Sequence, residues 1–96
     1  LLPYHHPAEL AHRVAFMDHL AQGRFMFGVG AGGLPSDYRL FNVDGMGGEN
    51  RHMTREALDI ILKLWTSDEP FEYRGKYWNV NGIEPMFDGR LKMHIK

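Results

Sequence analysis

Apolar positions recur along the first third of the chain with the period of a helix and then change to that of a strand. Leu10, Val14, Met17 and Leu20 are spaced by three and four residues and predict one apolar stripe on a helix of about four turns. His6 precedes Pro7 and suits a cap, Pro7 suits the first helical position, and Glu9 complements the positive end of the helix dipole. Gly23 is a plausible stop. Ahead of this helix, Leu1-Leu2-Pro3-Tyr4 reads as the carboxyl end of a strand. Behind it, the run from Arg24 to Val29, with Phe25, Met26, Phe27 and Val29, has the composition of a strand buried on both faces of a parallel sheet.

Residues 30–50 are rich in Gly, Asp and Asn and read as a long irregular stretch, a length that in compact domains usually accompanies function. A second helix is predicted from about Asn50, as its N-cap, to Thr66. Ala57, Leu58, Ile61, Leu62 and Trp65 form its buried face. After Asp68-Glu69-Pro70 the period becomes two. Phe71-Glu72-Tyr73 and Tyr77-Trp78-Asn79-Val80 flank Arg74-Gly75-Lys76 as a short hairpin, and the remainder, with Gly82, Pro85 and Gly89, reads as extended or looped. Strand, helix, strand, helix in that order means right-handed β/α units on a parallel sheet, with the hairpin inserted after the second. The expected class is therefore α/β. Too few strands are present to complete such a sheet, so the 96 residues read as part of one domain.

Composition narrows the function little. The chain is 44% apolar and 24% charged with net charge −1, so neither disorder nor a basic field for nucleic acid or an anionic membrane is indicated. No run of 18 apolar residues and no signal-peptide pattern occurs, and cysteine is absent, which excludes disulfides and thiolate metal sites and favours a cytoplasmic setting.

The chemistry concentrates where the apolar run opens into glycines. Glycine at the carboxyl end of a strand lets backbone approach a ligand closely, and α/β folds bind ligands at that end. Gly28-Val29-Gly30-Ala31-Gly32-Gly33 formally satisfies the dinucleotide pattern G-x-G-x-x-G. That pattern requires a helix starting within the glycines, and here Leu34-Pro35-Ser36-Asp37 follows instead. A loop for close approach explains the glycines better. His5 and His6 are adjacent and point apart, and His12 and His19 lie seven residues apart, so no shared metal site is expected. His5 has two open readings, a structural one and one as a titrating group facing a ligand. Asp37-Tyr38-Arg39-Leu40-Phe41 likewise either staples the loop through Tyr38 and Phe41 or forms one side of an apolar substrate cavity.

Several segments together resemble the bacterial luciferase-like flavin monooxygenases. They are Leu2-Pro3-Tyr4-His5-His6-Pro7, Asp18-His19-Leu20, Gly23-Arg24-Phe25, Phe27-Gly28-Val29-Gly30 and Leu34-Pro35-Ser36-Asp37. Arg55-Glu56-Ala57-Leu58-Asp59-Ile60-Ile61 with Leu64-Trp65, and the hairpin from Phe71 to Trp78, continue the likeness, which is greatest to the subgroup with limonene and alkanal monooxygenase-like enzymes. The resemblance implies a (β/α)8 TIM barrel, of which residues 1–96 would run from the end of the third strand to the region before the fifth. It further implies reduced FMN supplied by a flavin reductase, O2 as co-substrate, a small hydrophobic substrate and a homodimer. By the same likeness Tyr4, His5, Gly30, Ala31 and Gly32 would lie beside the flavin. Leu34, Asp37, Tyr38 and Phe41 would face the substrate, and His5 is the one candidate for a catalytic role. Luciferase itself carries Cys then Arg at the positions of Gly30 and Ala31, so the arginine that helps hold the flavin phosphate there is absent. A deazaflavin- or flavin-dependent dehydrogenase of the same superfamily and a non-catalytic flavin-binding protein are the rival readings.

Overall fold

The structure, a computed structural model, describes residues 1–67 and 69–81. Its centre is a pair of helices, α1 (Pro7–Leu20) and α3 (Glu49–Thr66), packed face to face, with a short helix α2 (Pro35–Leu40) between them in sequence. A 3-10 turn over Leu2–Tyr4 lies against α3. A two-stranded antiparallel ribbon, β1 (Tyr73–Arg74) and β2 (Asn79–Val80), follows.

Both long helices begin and end close to where local sequence chemistry puts them. The His6 ring accepts a hydrogen bond at Nδ1 from the Ala8 N–H at 3.2 Å, Pro7 opens α1, and Arg13 pairs with Glu9 one turn away. At the other end Gln22 and Gly23 both adopt positive φ, and the Gly23 N–H closes back onto the Asp18 carbonyl at 3.0 Å. The apolar stripe of α1 is rotated from the expected one. Leu10 and Val14 are buried with Ala11, Ala15 and Asp18, whereas Met17 and Leu20 are 43% and 63% exposed. The small side chains of Ala11 and Ala57 allow the helices to approach closely, and that contact pulls the buried face toward positions 11 and 15. On α3 the buried face is Ala57, Ile60, Ile61, Leu64 and Trp65. Leu58 lies at its border and Leu62 outside it. The Trp65 indole N–H donates to the Ala11 carbonyl at 3.0 Å across this interface.

The expected strands in the first third do not form. Leu1–Tyr4 is a turn, not a strand end, and the run from Arg24 to Val29 belongs to no ladder among the described residues. At its start the Arg24 N–H closes onto the Ala21 carbonyl at 3.2 Å, and just beyond its end the Gly30 carbonyl accepts from the Leu2 N–H at 3.0 Å. A parallel strand takes its bonds from strands distant in sequence, and the described chain supplies no such partner. Nor is the run buried on both faces: Met26 is 88% exposed, and Phe25 and Val29 are exposed too. Phe27 alone of its large side chains packs on the core, edge-on to Trp65 with ring centroids 6.0 Å apart.

The hairpin forms with a longer turn than expected. Arg74 is part of β1, paired with Asn79, and the Gly75 N–H donates to the Trp78 carbonyl at 2.9 Å across a four-residue loop. The Glu56 carboxylate of α3 organises that loop by accepting three successive backbone N–H groups, from Lys76 (2.7 Å), Tyr77 (2.9 Å) and Trp78 (2.8 Å). A Cβ on Gly75 would collide with that carboxylate. The stretch with Gly82, Pro85 and Gly89 lies outside the described residues.

Candidate functional site

The site is built around the backbone of Ala31 and Gly32. Gly32 has φ +90°, and a Cβ there would meet the Tyr4 hydroxyl at 2.5 Å, so glycine is required both by conformation and by space. The Tyr4 ring is held in place by stacking on Phe41, with centroids 4.6 Å apart and planes 15° from parallel. Tyr38 in α2 donates from its hydroxyl to the Gly32 carbonyl at 3.2 Å, and its ring covers Gly45 so closely that a Cβ there would overlap it. Thus α2, unseen in the sequence because its six residues bury nothing, carries Tyr38 to the glycine segment, and Phe41 caps its end.

From the other side comes Asn50. It is not the N-cap of α3; Gly48, with φ +89°, occupies that position. Asn50 is 4% exposed, and its Nδ2 donates to the Ala31 and Gly32 carbonyls, both at 3.2 Å. Its Oδ1 and the Tyr4 hydroxyl are buried and have no hydrogen-bond partner among the described residues. A signal for Asn50 was present: it lies seven residues before Ala57, on the same stripe as the buried apolar residues, where a polar group needs a partner.

A cavity of about 590 Å³ opens beside these groups. Ala31, Gly32, Gly33 and Tyr38 line one part, and Gly45 to Gly48, Asn50 and Arg51 line the rest. Asp44 closes the loop that leads into α3: its Oδ1 accepts the Gly47 N–H at 2.8 Å and its carbonyl accepts the Glu49 N–H at 2.9 Å. Arg51 is exposed and forms no ion pair or hydrogen bond with its side chain among the described residues, which leaves it as the cation of the cavity. Neither the Gly45–Gly48 loop nor Arg51 was singled out by the sequence pattern.

Burial raises the Tyr4 pKa above the ordinary phenol value, and the nearby Asp37 carboxylate and Tyr38 add to the shift. The Tyr4 oxygen thus keeps its proton across the physiological range and is a hydrogen-bond donor without an acceptor.

Of the residues expected at a site, Tyr4, Gly32, Tyr38 and Phe41 come together, and Ala31 joins them through Asn50. Gly30 binds Leu2 through its carbonyl. His5 is exposed in extended backbone, with no side-chain hydrogen bond among the described residues, and Leu34 is exposed at the N-cap of α2. Among the described residues no three His, Asp or Glu side chains converge to hold a metal ion, and no helix is long and apolar enough to cross a membrane.

The likeness to known proteins extends over this whole arrangement. The 4-hydroxyprotoasukamycin monooxygenase of Streptomyces nodosus subsp. asukaensis is 49% identical over 69 residues, 72% of this chain and 18% of that enzyme. Limonene 1,2-monooxygenase of Rhodococcus erythropolis is 41% identical over 63 residues, 66% of this chain and 16% of that enzyme. A solved structure superposes with a TM-score of 0.85 at 31% identity over 99% of this chain and 27% of that one. It is the oxygenating constituent of 3,6-diketocamphane monooxygenase from Pseudomonas putida, a type II Baeyer–Villiger monooxygenase in complex with FMN. The chain therefore spans about a quarter or less of the proteins it matches. The sequence profile of luciferase-like monooxygenases matches residues 1–92, and the chain belongs to that family.

Proposed function

We propose that this chain forms one wall of the cofactor site of an FMN-dependent monooxygenase that inserts oxygen into a small hydrophobic substrate. In this reading residues 1–96 are a part of a (β/α)8 barrel running from the end of the third strand to the region before the fifth. The observation that carries it is the glycine turn at Gly32, whose carbonyls are tied back by Asn50 and Tyr38 beside a cavity bearing a free arginine. Such a surface suits a flat, phosphate-bearing ligand: side chains are absent where backbone must come close, and a cation is available for the phosphate. The FMN-bound relative and the family membership support the choice of FMN.

When bound, reduced FMN would supply the two electrons with which O2 gives one oxygen atom to the substrate and the other to water. The residues here act around that chemistry. Ala31, Gly32 and Gly33 line the cavity with one methyl side chain among them, Gly30 ties the segment to Leu2, and Arg51 takes the phosphate. Tyr4 holds a proton at its buried oxygen and offers it as a hydrogen bond. Leu34, Tyr38 and Phe41 provide apolar surface that excludes water from the reacting centre, with Asp37 at its edge. His5, exposed just ahead of α1, is the one candidate in this reading for direct contact with the reacting groups. A separate flavin reductase is the expected electron source, in keeping with the "oxygenating constituent" among the relatives. A homodimer and a cytoplasmic setting complete this reading.

The test is isotopic. Full-length protein containing this segment, supplied with NADH, a flavin reductase, FMN and 18O2, is offered cyclic terpene ketones and alkenes. Label in an organic product is expected. Hydrogen peroxide as the sole oxygen product, with no labelled organic product, would overturn the monooxygenase reading in favour of a dehydrogenase or a flavin carrier.

A further inference from the structure

In a planar trans peptide the carbonyl and the N–H of one unit point in opposite directions, and the described chain contains no cis bonds. Successive carbonyls of an extended chain alternate between its two sides. At the glycine turn they do not: Ala31 and Gly32 both direct their carbonyls at the single Nδ2 of Asn50. The positive φ of Gly32 makes this possible. The N–H groups of the same two units, those of Gly32 and Gly33, are therefore turned away from Asn50 together. Neither donates to an acceptor among the described residues. Two successive N–H groups turned one way form a concave donor pair suited to an anionic or carbonyl oxygen.

Asn50 is also costly where it stands. It occupies the buried stripe of α3, where an apolar residue would suffice for packing, and its Oδ1 is buried without a partner among the described residues. An amide here donates to two backbone carbonyls, a task that an aliphatic side chain cannot perform.

We infer that Asn50 is a positioning residue of the cofactor wall, holding the Ala31 and Gly32 carbonyls so that the Gly32 and Gly33 N–H groups present a paired donor to an electron-rich oxygen of the flavin. The inference rests on the flavin reading above. The oxygen belongs either to the phosphate or to a ring carbonyl, and comparing FMN with riboflavin separates the two.

The experiment uses full-length 15N-labelled protein containing this segment, as wild type, Asn50→Ala and Asn50→Asp. Amide resonances are recorded without flavin, and dissociation constants for FMN and riboflavin are measured by fluorescence quenching. In Asn50→Ala the Gly32 and Gly33 resonances are expected to move while those of Ala57 and Ile61 stay, and the FMN dissociation constant to rise about tenfold with two hydrogen bonds lost. Asn50→Asp is expected to be equally weak at neutral pH. It should recover part of the wild-type affinity, compared at the same pH, as its carboxyl group protonates and regains one donor; Asn50→Ala should not recover. Weakening of FMN alone assigns the phosphate, and equal weakening of riboflavin assigns the ring. Unmoved glycine resonances, or FMN affinity unchanged in both variants, would overturn the inference while leaving the flavin reading intact. A wild type that binds neither flavin would overturn the flavin reading, and the ligand named here with it.

Discussion

The α1–α3 contact and the glycine turn at Gly32 both order backbone, but with different materials. Between the helices the contact is apolar and continuous: Ala11, Val14 and Ala15 lie on one side and Ala57, Ile60, Ile61 and Leu64 on the other, and the buried Trp65 indole N–H is satisfied by the Ala11 carbonyl. Around Gly32 the backbone has no ladder and little apolar burial, and four side chains from distant positions, Tyr4, Tyr38, Phe41 and Asn50, hold it instead. The first arrangement stabilises through burial. The second sets the direction of particular carbonyl and N–H groups, and it leaves two buried polar atoms unpaired. Substitutions should therefore affect global stability in one region and ligand binding in the other.

The largest expected effect is in the helix pair. Ile60→Ala removes most of a fully buried side chain and should lower unfolding free energy by about 2–5 kcal/mol. Denaturant unfolding measures it, and flavin affinity of the molecules that remain folded should be little altered. A change of similar size in flavin affinity would break the division between the regions.

Next comes Gly32→Ala. The new Cβ meets the Tyr4 hydroxyl and forces a side chain onto positive φ, with a local strain of about 1–3 kcal/mol. Flavin binding, followed by fluorescence quenching, should weaken more than the melting temperature falls. Adding Tyr4→Phe removes the colliding oxygen and should restore part of the affinity.

A third substitution sharpens the comparison by placing a polar anchor outside the proposed site. Glu56→Gln leaves one carbonyl oxygen for the hairpin N–H groups of Lys76, Tyr77 and Trp78 and should cost about 1–2 kcal/mol. Faster amide exchange at residues 76–78, with flavin affinity unchanged, is the expected signature.

How much of this was legible beforehand follows from the same division. The two long helices were, because His6, Pro7, Gly23 and the spacing of Ala57, Ile61 and Trp65 act within a few residues of one another. The rotation of the α1 face toward Ala11 and Ala15 was not, since it depends on how closely α3 approaches. The strand from Arg24 to Val29 has strand composition but needs partners from far along the chain, and local pattern cannot supply them. Among the site residues, Tyr4, Gly32, Tyr38 and Phe41 were singled out by the resemblance and do converge. The local pattern puts Asn50 at the cap, because a polar residue at a helix start ordinarily serves there. Gly48 fills that position, and Asn50 reaches back 18 and 19 residues instead.

The smallest expected effect is at alkaline pH. Tyr4 and Tyr73 both have pKa values raised by burial, Tyr73 further by Glu56 and Asp59. Below about pH 10 both phenols are protonated folded or unfolded; above it the unfolded chain releases protons that the folded chain retains, so stability falls as pH rises. Tyr4→Phe and Tyr73→Phe should each flatten part of that decline, as melting curves across the alkaline range would record.

The most direct test of the flavin wall is a stopped-flow experiment in which full-length protein containing this segment, loaded anaerobically with reduced FMN, is mixed with oxygenated buffer. A wall that shields bound flavin from water should delay the return of oxidised-flavin absorbance well beyond that of free FMN, and Gly32→Ala should shorten the delay. Return at the free-flavin rate in the wild type would contradict it.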